Sequence, residues 1–390
     1  MNLPAQCWQI IHFPIVCLLH YFPSFFPLVF SSNVWVSFGF GLDLLNSALL
    51  RHLSVNLMLV RVEVVMSTEE RACCYQGPNG ERCDDTAEHD GLCYWHDESK
   101  KKREPDLVER LEARARTGKP MIGFSLRNTD LTSINLVRHG SSEGYCLIHS
   151  DLYRADLKSS HLFNIDLTGT SLMKANLTKA NLNCSTLKNA NLLGVILEGT
   201  KMDNVAWDNA VRQEKMAYVT KNDREQQSDY FEQAEEIYRN LRRTTESQGL
   251  FENAGRFFQR EMIMRRYQLP RYSARRMLSK LVDLFCGYGE EPSRVVSFSL
   301  AIIFSFSVIY FLAGIADGAV EVQYSSDLSV KHNVITFFQS LYFSVVTFTT
   351  LGYGDLSPVG FTRAFAAIEA FVGSFTLALF VVVFVKKMTR

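Results

Sequence analysis

The sequence predicts a multidomain membrane protein, in which an all-α two-span domain follows a water-facing region built on a β-helix and a pair of packed helices. Three observations carry this. The 41 basic and 41 acidic residues cancel, yet they are unevenly placed: residues 1–60 and 295–385 are apolar and rich in Phe, whereas 66–294 hold almost all the charge. Two runs, 295–315 without a charge and 364–385 with only Glu369, have the roughly 20 apolar residues that cross a bilayer. From Ser150 onward the chain divides into fives, a period that neither an α-helix nor a flat strand buries on one face. The zero net charge by itself says nothing of a nucleic-acid partner.

Residues 1–65 contain VCLLHYFPSFFPLVF, apolar enough for a membrane but broken by Pro14, Pro23 and Pro27, and without a charge before Asp43. The basic start of a signal peptide is therefore missing. The segment is either membrane-inserted or an upstream region preceding a true start at Met66, where MSTEERACCYQ turns to ordinary cytosolic composition.

Residues 66–120 form a small Cys/His module followed by a cap helix, DLVERLEARARTGKP. Cys73, Cys83, Cys93 and His96 give C-x9-C-x9-C-x2-H, with Cys74 as an alternative first ligand. Three thiolates and an imidazole make a closed tetrahedral set, the chemistry of structural Zn2+ rather than of a catalytic metal. Reduced cysteines in an irregular segment are the other reading, and in a reducing cytosol disulfides are disfavoured.

Residues 121–210 carry the repeat: SDLYR ADLKS SHLFN IDLTG TSLMK ANLTK ANLNC STLKN ANLLG VILEG TKMDN VAWDN. Apolar centres recur from Leu152 to Leu197, then at Met202 and Trp207, with small residues such as Ala155, Ala175, Ala180 and Ala190 two places before. A coil of stacked turns with an internal ladder buries such a period. The pattern resembles the pentapeptide-repeat family, A(D/N)Lxx, which implies a right-handed quadrilateral β-helix with four pentapeptides per coil. The period also runs through Leu126, Leu131 and Leu136, slips by one residue in LVRHGSSEGYCL and resumes at Leu147, so HGSSEGYC is expected to bulge out. Sixteen repeats make about four coils, a column on the order of 19 Å. Some members of that family imitate DNA, which needs an acidic column. Here Asp151, Asp156, Asp166, Glu198, Asp203 and Asp208 are balanced by Arg154, Lys158, Lys174, Lys179, Lys188 and Lys201. No nucleic-acid role is expected; a scaffold that binds a protein partner or another subunit is. Each end of the ladder needs a cap.

Residues 211–290 read as a helical hairpin and a juxtamembrane helix. Phe231, Ala234, Ile237, Tyr238 and Leu241, then Phe251, Ala254, Phe257, Phe258 and Met262, form two apolar stripes joined by SQG. Eight bases and one acid, Glu261, lie between Arg256 and Lys280. RRMLSKLVDLF is expected to lie along the inner leaflet, where anionic lipids attract such clusters, and to pass movement to the first span. The GYG at 287–289 reads as a turn.

Residues 291–390 complete the chain. Arg271, Arg275, Arg276, Lys280 and Arg294 before the first span, and Lys386, Lys387 and Arg390 after the second, place both ends and the water-facing region on the cytoplasmic side of a plasma (inner) membrane. Between the spans, TFFQSLYFSVVTFTTLGYGD opens as a short helix and ends in glycines; irregular backbone is tolerated there only if it lines a water-filled path. TxTTxGYGD between two spans resembles the selectivity filter of two-transmembrane potassium channels. That resemblance implies that Thr350, Leu351, Gly352, Tyr353 and Gly354 bind permeant K+ through their oxygens, in a homotetramer where each chain supplies a quarter of every ion cage. It further implies that Asp355, Tyr342 and Glu369 support the filter and that Gly373 is a gating hinge, close helix packing being its other use. Leu351 stands where the family usually has Val or Ile, and Tyr342 and Phe343 where many relatives have two Trp. No arginine ladder marks a voltage sensor.

The expected function is passive, K+-selective conduction regulated by the N-terminal region. A membrane-anchored scaffold with a vestigial or non-selective pore is the alternative. No catalytic triad, phosphate loop or nucleotide motif points to an enzyme. The sequence stops five residues past the second span, which predicts that regulation enters from the N-terminal side.

Overall fold

The computed structural model describes residues 72–318 and 320–389. The apolar segment 1–65 and the start at Met66 lie outside the described residues.

The period of five folds as a stack of parallel bridges. Asp151 pairs with Ser171, Asp156 with Asn176, His161 with Asn181, and the series continues to Thr186 with Ala206, always twenty residues apart. The first coil is offset: Ser125, Asp130 and Asn135 pair with Asp151, Asp156 and His161. Its six surplus residues fall between Asn135 and Cys146, in the segment that breaks the period. The centres from Leu152 to Met202 are at most 4% exposed, each fully buried Leu stabilising the stack by about 1.5–3 kcal/mol.

Local chemistry makes the corners. Where Asp or Asn precedes a centre it accepts the amide two residues on, as Asp151 does from Tyr153, Asp166 from Thr168 and Asn176 from Thr178. The second residue after each centre, from Arg154 through Gly169, Gly194 and Gly199 to Asn204, has positive φ. Gly and Asn take this conformation easily; Lys174 and Lys179 adopt it at a cost of about 1–2 kcal/mol each.

Side chains close both ends. At the first coil, α1 (Leu107–Arg116) buries Leu107, Leu111 and Ala115, and Glu112 accepts from the Asn135 amide at 2.9 Å. Arg114 pairs with Asp85, tying α1 to the Cys/His module. After the last coil come α2 (Arg212–Val219), α3 (Arg224–Ser247) and α4 (Phe251–Tyr267). From α3, Asn240 donates to the Val195 carbonyl at 2.8 Å. Just beyond it, Gln248 accepts from the Met202 amide and donates to the Thr200 carbonyl. Backbone groups that a further coil would have paired are satisfied by amide side chains instead.

α3 and α4 pack through Phe231, Ala234, Ile237, Tyr238 and Leu241 against Phe257 and Met264. Of the residues read as the second stripe, Phe251 is exposed. α5 (Ala274–Cys286) exposes Met277, Leu278, Leu281 and Leu284, and a 3-10 turn over Gly287–Gly289 leads into α6 (Pro292–Ala313). Pro292 opens that helix where its missing N–H costs nothing. α7 (Val330–Phe348) and α8 (Thr362–Met388) follow, with a small antiparallel sheet ordered β2 (Val320–Val322), β1 (Ile315–Asp317), β3 (Leu356–Pro358). α6 and α8 are long and apolar enough to cross a membrane. α7 begins earlier than the motif suggests, because the Ser329 side chain caps it by accepting from the His332 amide.

Gly199 tests the corner rule without crowding, since an added Cβ would lie 3.5 Å from the nearest atom, Lys179 Cγ. Gly199→Asn is expected to leave the urea midpoint of the detergent-solubilised chain nearly unchanged. Gly199→Val is expected to lower stability by about 1–2 kcal/mol.

Candidate functional site

The site begins where α7 ends. The Thr350 amide donates to the Thr347 carbonyl and the Leu351 amide to the Val346 carbonyl, both at 3.0 Å, finishing the helix. Along the next five residues φ changes sign at every step: it is +58° at Thr350, +59° at Gly352 and +79° at Gly354, and not positive at Leu351 or Tyr353. In a β-strand successive carbonyls alternate sides; alternating handedness turns successive peptide units the same way, so carbonyls gather on one side and amides on the other. Thr350 is β-branched in the left-handed region, a strained conformation of the kind that collects at functional sites. Leu351 and Tyr353 are 58% and 68% exposed on the single chain. Space around Gly352 and Gly354 is open, so conformation rather than crowding calls for glycine there.

Both ends of this loop are anchored. Beyond it, Tyr342 of α7 reaches Asp355 through its hydroxyl. β3 then pairs with β1, setting Ser357 opposite Ala316, so the loop exit is fastened to the end of α6. Phe343 faces elsewhere, packing edge-on against Tyr310 at 4.8 Å between centroids.

Behind the loop, Glu369 of α8 is completely buried. Tyr310 of α6 donates to it at 2.7 Å, and Ser344 of α7 contacts its other oxygen. Ser344 Oγ also lies 2.9 Å from the Ile303 carbonyl, so one hydroxyl proton faces two acceptors. Three helices thus meet at one carboxyl group. A turn further along, Gly373 lies against the end of α7, where an added Cβ would sit 2.0 Å from the Phe348 carbonyl oxygen. α8 runs unbroken through it, and the glycine is what allows the close approach.

At the far end of α8, Lys386 Nζ lies 2.5 Å from Glu290 Oε1 and 5.4 Å from the centre of the Phe258 ring. Glu290 follows the first GYG, whose Tyr288 hydroxyl accepts from Arg266 at 3.0 Å and meets Ser279 at 2.7 Å. Gly255 of α4 leaves room for Glu290; a Cβ there would be 2.4 Å from Glu290 Oε2. The water-facing helices therefore touch the end of the second span directly, a contact beyond the route through the first span read from the sequence.

A second constellation lies in the N-terminal module. The donor atoms of Cys73, Cys83, Cys93 and His96 come within 4.8 Å of one another, while Cys74 is exposed and outside the group. Burial, with the adjoining Cys93, pushes the Cys83 thiol above its ordinary range, and burial raises Cys93 and lowers the His96 imidazole.

Residues 298–390 match the ion channel family, and 150–183 and 170–205 match pentapeptide repeats. The chain joins an ion-channel region to a pentapeptide-repeat domain. The channel region is similar to Protein LctB of Bacillus caldotenax, 33% identical over 79 residues, which is 20% of this chain and 58% of that protein. The repeat is similar to HetL, a pentapeptide repeat protein involved in heterocyst differentiation regulation from Nostoc sp. strain PCC 7120 (27% identity, 21% of this chain and 50% of that one, TM-score 0.12). A pentapeptide repeat protein, Rfr23, of Cyanothece 51142 aligns at 23% identity over 26% of this chain and 97% of its own, with a TM-score of 0.10. The chain thus spans little more than half of LctB and half of HetL. Neither matched family is of an enzymatic kind, and the channel region with its two apolar helices belongs in a membrane.

Tyr310, Ser344, Glu290 and Gly255 were not singled out in the sequence. Ser344 carries little signal, being one of several hydroxyls along α7 with Ser340, Tyr342 and Thr347. Glu290 and Gly255 carry none, because their meaning depends on a partner far along the chain.

Glu369→Gln is expected to keep the junction, since an amide can accept from Tyr310 while donating to Ser344. Glu369→Leu strands the Tyr310 hydroxyl, while Ser344 keeps the Ile303 carbonyl, and is expected to cost about 1–3 kcal/mol, read as a lower melting temperature in detergent. Gly373→Ala is expected to lower it as well, with Ser374→Ala as the neutral control.

Proposed function

We propose that the chain forms a homotetrameric, K+-selective channel of the two-transmembrane type in the plasma (inner) membrane. The observation that carries this is the alternation of φ from Thr350 to Gly354 at the end of α7. Four such loops facing one axis would present rings of carbonyl oxygens from Thr350, Leu351, Gly352, Tyr353 and Gly354, which replace the water around a dehydrated K+ ion. The Thr350 hydroxyl would add the innermost ring. Asp355 with Tyr342, and Glu369 with Tyr310 and Ser344, hold the loop from outside and behind. In this reading Gly373 sets the spacing of α8 against α7, and any hinge motion there separates it from Phe348.

The water-facing region lies in the cytoplasm as a quadrilateral pentapeptide column carrying a helical hairpin, α3 with α4. α5 lies along the inner leaflet, its exposed Met277, Leu278, Leu281 and Leu284 toward acyl chains and its bases toward anionic headgroups. The column takes a protein partner or a neighbouring subunit. Movement of the hairpin reaches the pore through Lys386 and Glu290, because displacing either removes a close charge pair at the end of α8.

Purified chain in liposomes is expected to pass K+ and to exclude Na+. Gly352→Asp should abolish flux while native mass spectrometry still finds tetramers. Absent or unselective flux through the wild-type chain would favour the scaffold reading. Lys386→Ala is expected to change open probability in single-channel recordings without changing K+ over Na+ preference; an unchanged open probability would remove the coupling role.

A further inference from the structure

The conduction proposed above makes no use of the Cys/His module. Cys73, Cys83 and Cys93 are all free thiols. The Cys93 sulfur lies 3.1 Å from His96 Nδ1 and the Cys73 sulfur 3.5 Å from it, while the Cys83 and Cys93 sulfurs are 3.8 Å apart. A tetrahedron with Zn–S of about 2.3 Å and Zn–N of about 2.0–2.1 Å has edges of about 3.8 Å between sulfurs and about 3.5 Å from sulfur to nitrogen. The longest separation in the set, 4.8 Å, exceeds such an edge by about an ångström.

We propose that these four side chains hold one structural Zn2+, and that the ion fastens the module to the first coil of the β-helix. Two hydrogen bonds outside the cluster prepare it. His96 Nε2 lies 2.8 Å from the Ile122 carbonyl, which can only accept, so Nε2 carries the proton and the Nδ1 lone pair faces the sulfurs. The Cys93 amide donates to the Cys73 sulfur at 3.3 Å, support that favours a thiolate. The Tyr75 ring stacks on His96 at 3.9 Å and covers the imidazole. Cys73, Cys93 and His96 are each at most 6% exposed, and four protein donors leave no open position for a substrate.

The same ligands reach the ladder. Ile122, which fixes the histidine, precedes Phe124 and Ser125 of the first coil. Trp95, between Cys93 and His96, stacks on Phe124 at 5.1 Å and accepts from the Ser125 amide at 2.8 Å. Residues 72–97 otherwise hold together by isolated bridges such as Ala72 to Thr86, Gln76 to Arg82 and His89 to Leu92. A segment this short buries too little to order itself, and a metal is the usual substitute for a core.

Metal content of the full chain, purified in detergent under reducing conditions, tests the proposal. About one zinc per chain is expected in the wild type and in Cys74→Ser, and a loss of most of it in Cys93→Ser. Adding Co2+ to metal-stripped wild type should produce thiolate charge-transfer absorption and the intense visible bands of tetrahedral cobalt. Stripping should also speed hydrogen exchange at the Ser125 amide while leaving Asn181, deep in the ladder, protected. Wild type that holds no stoichiometric zinc and gives no tetrahedral cobalt spectrum overturns the proposal, as does zinc retained undiminished in Cys93→Ser. Unchanged exchange at Ser125 overturns the fastening role alone.

Discussion

The two-span region of the molecule depends on one buried carboxyl group. Glu369 sits where α6, α7 and α8 converge, and each of the other two helices gives it a hydroxyl, Tyr310 or Ser344. In an apolar phase a polar group without partners costs several kcal/mol, so the three helices are held in one register rather than sliding on apolar contacts alone. The register matters because α7 aims the loop that follows it. With α7 fixed from behind by Glu369, and the loop exit fixed by Tyr342 with Asp355 and by the pairing of β3 with β1, the strained φ of Thr350 is sustained from both sides. Close packing at Gly373 against Phe348 adds a steric stop to the polar one.

A comparable economy governs the ladder. Each coil pairs its backbone with the coils beside it, so the difficulty is confined to the two ends. At the first, Glu112 and the Cys/His module satisfy the exposed groups; at the last, Asn240 and Gln248 do so. Both sets come from elements that also do something else: the module gathers three thiols and an imidazole, and α3 packs on α4, which reaches the end of α8. The column is thus joined at each end to a different neighbour.

What could be read in advance follows from how far apart in the chain the partners stand. The five-residue period and TTLGYGD are local patterns, and turns are stated locally too: about half of the repeats carry Asp or Asn before the centre, and about half carry Gly or Asn at the corner. The broken period before Leu147 was visible for the same reason. The positive φ at Lys174 and Lys179 was not, because the stack imposes it against local preference. The cap helix over the first coil was legible as a local apolar stripe, whereas α2, the three-stranded sheet and the cap of the last coil depend on residues tens of positions away, as Gln248 does on Thr200 and Met202, and sequence spacing carries no mark of them. Lys386 shows the limit well: as a flanking base it orients the second span, and only the fold places Glu290 beside it.

That pairing changes how influence can travel through the chain. A route through the first span alone would pass along α5 and around the GYG turn, where Gly287 and Tyr288 have left-handed backbone and Arg266 and Ser279 hold the tyrosine. The structure offers a shorter one. Arg256 of α4 donates to the Asp208 carbonyl at the end of the ladder, the neighbouring Gly255 admits Glu290, and Phe258 lies beneath Lys386. Three positions within one turn of one helix therefore touch the repeat, the turn and the end of α8. A helix is stiff over one turn, so these three contacts keep a fixed relation to one another, and the coupling proposed above has an unbroken line of contacts from Asp208 to Lys386 to act through.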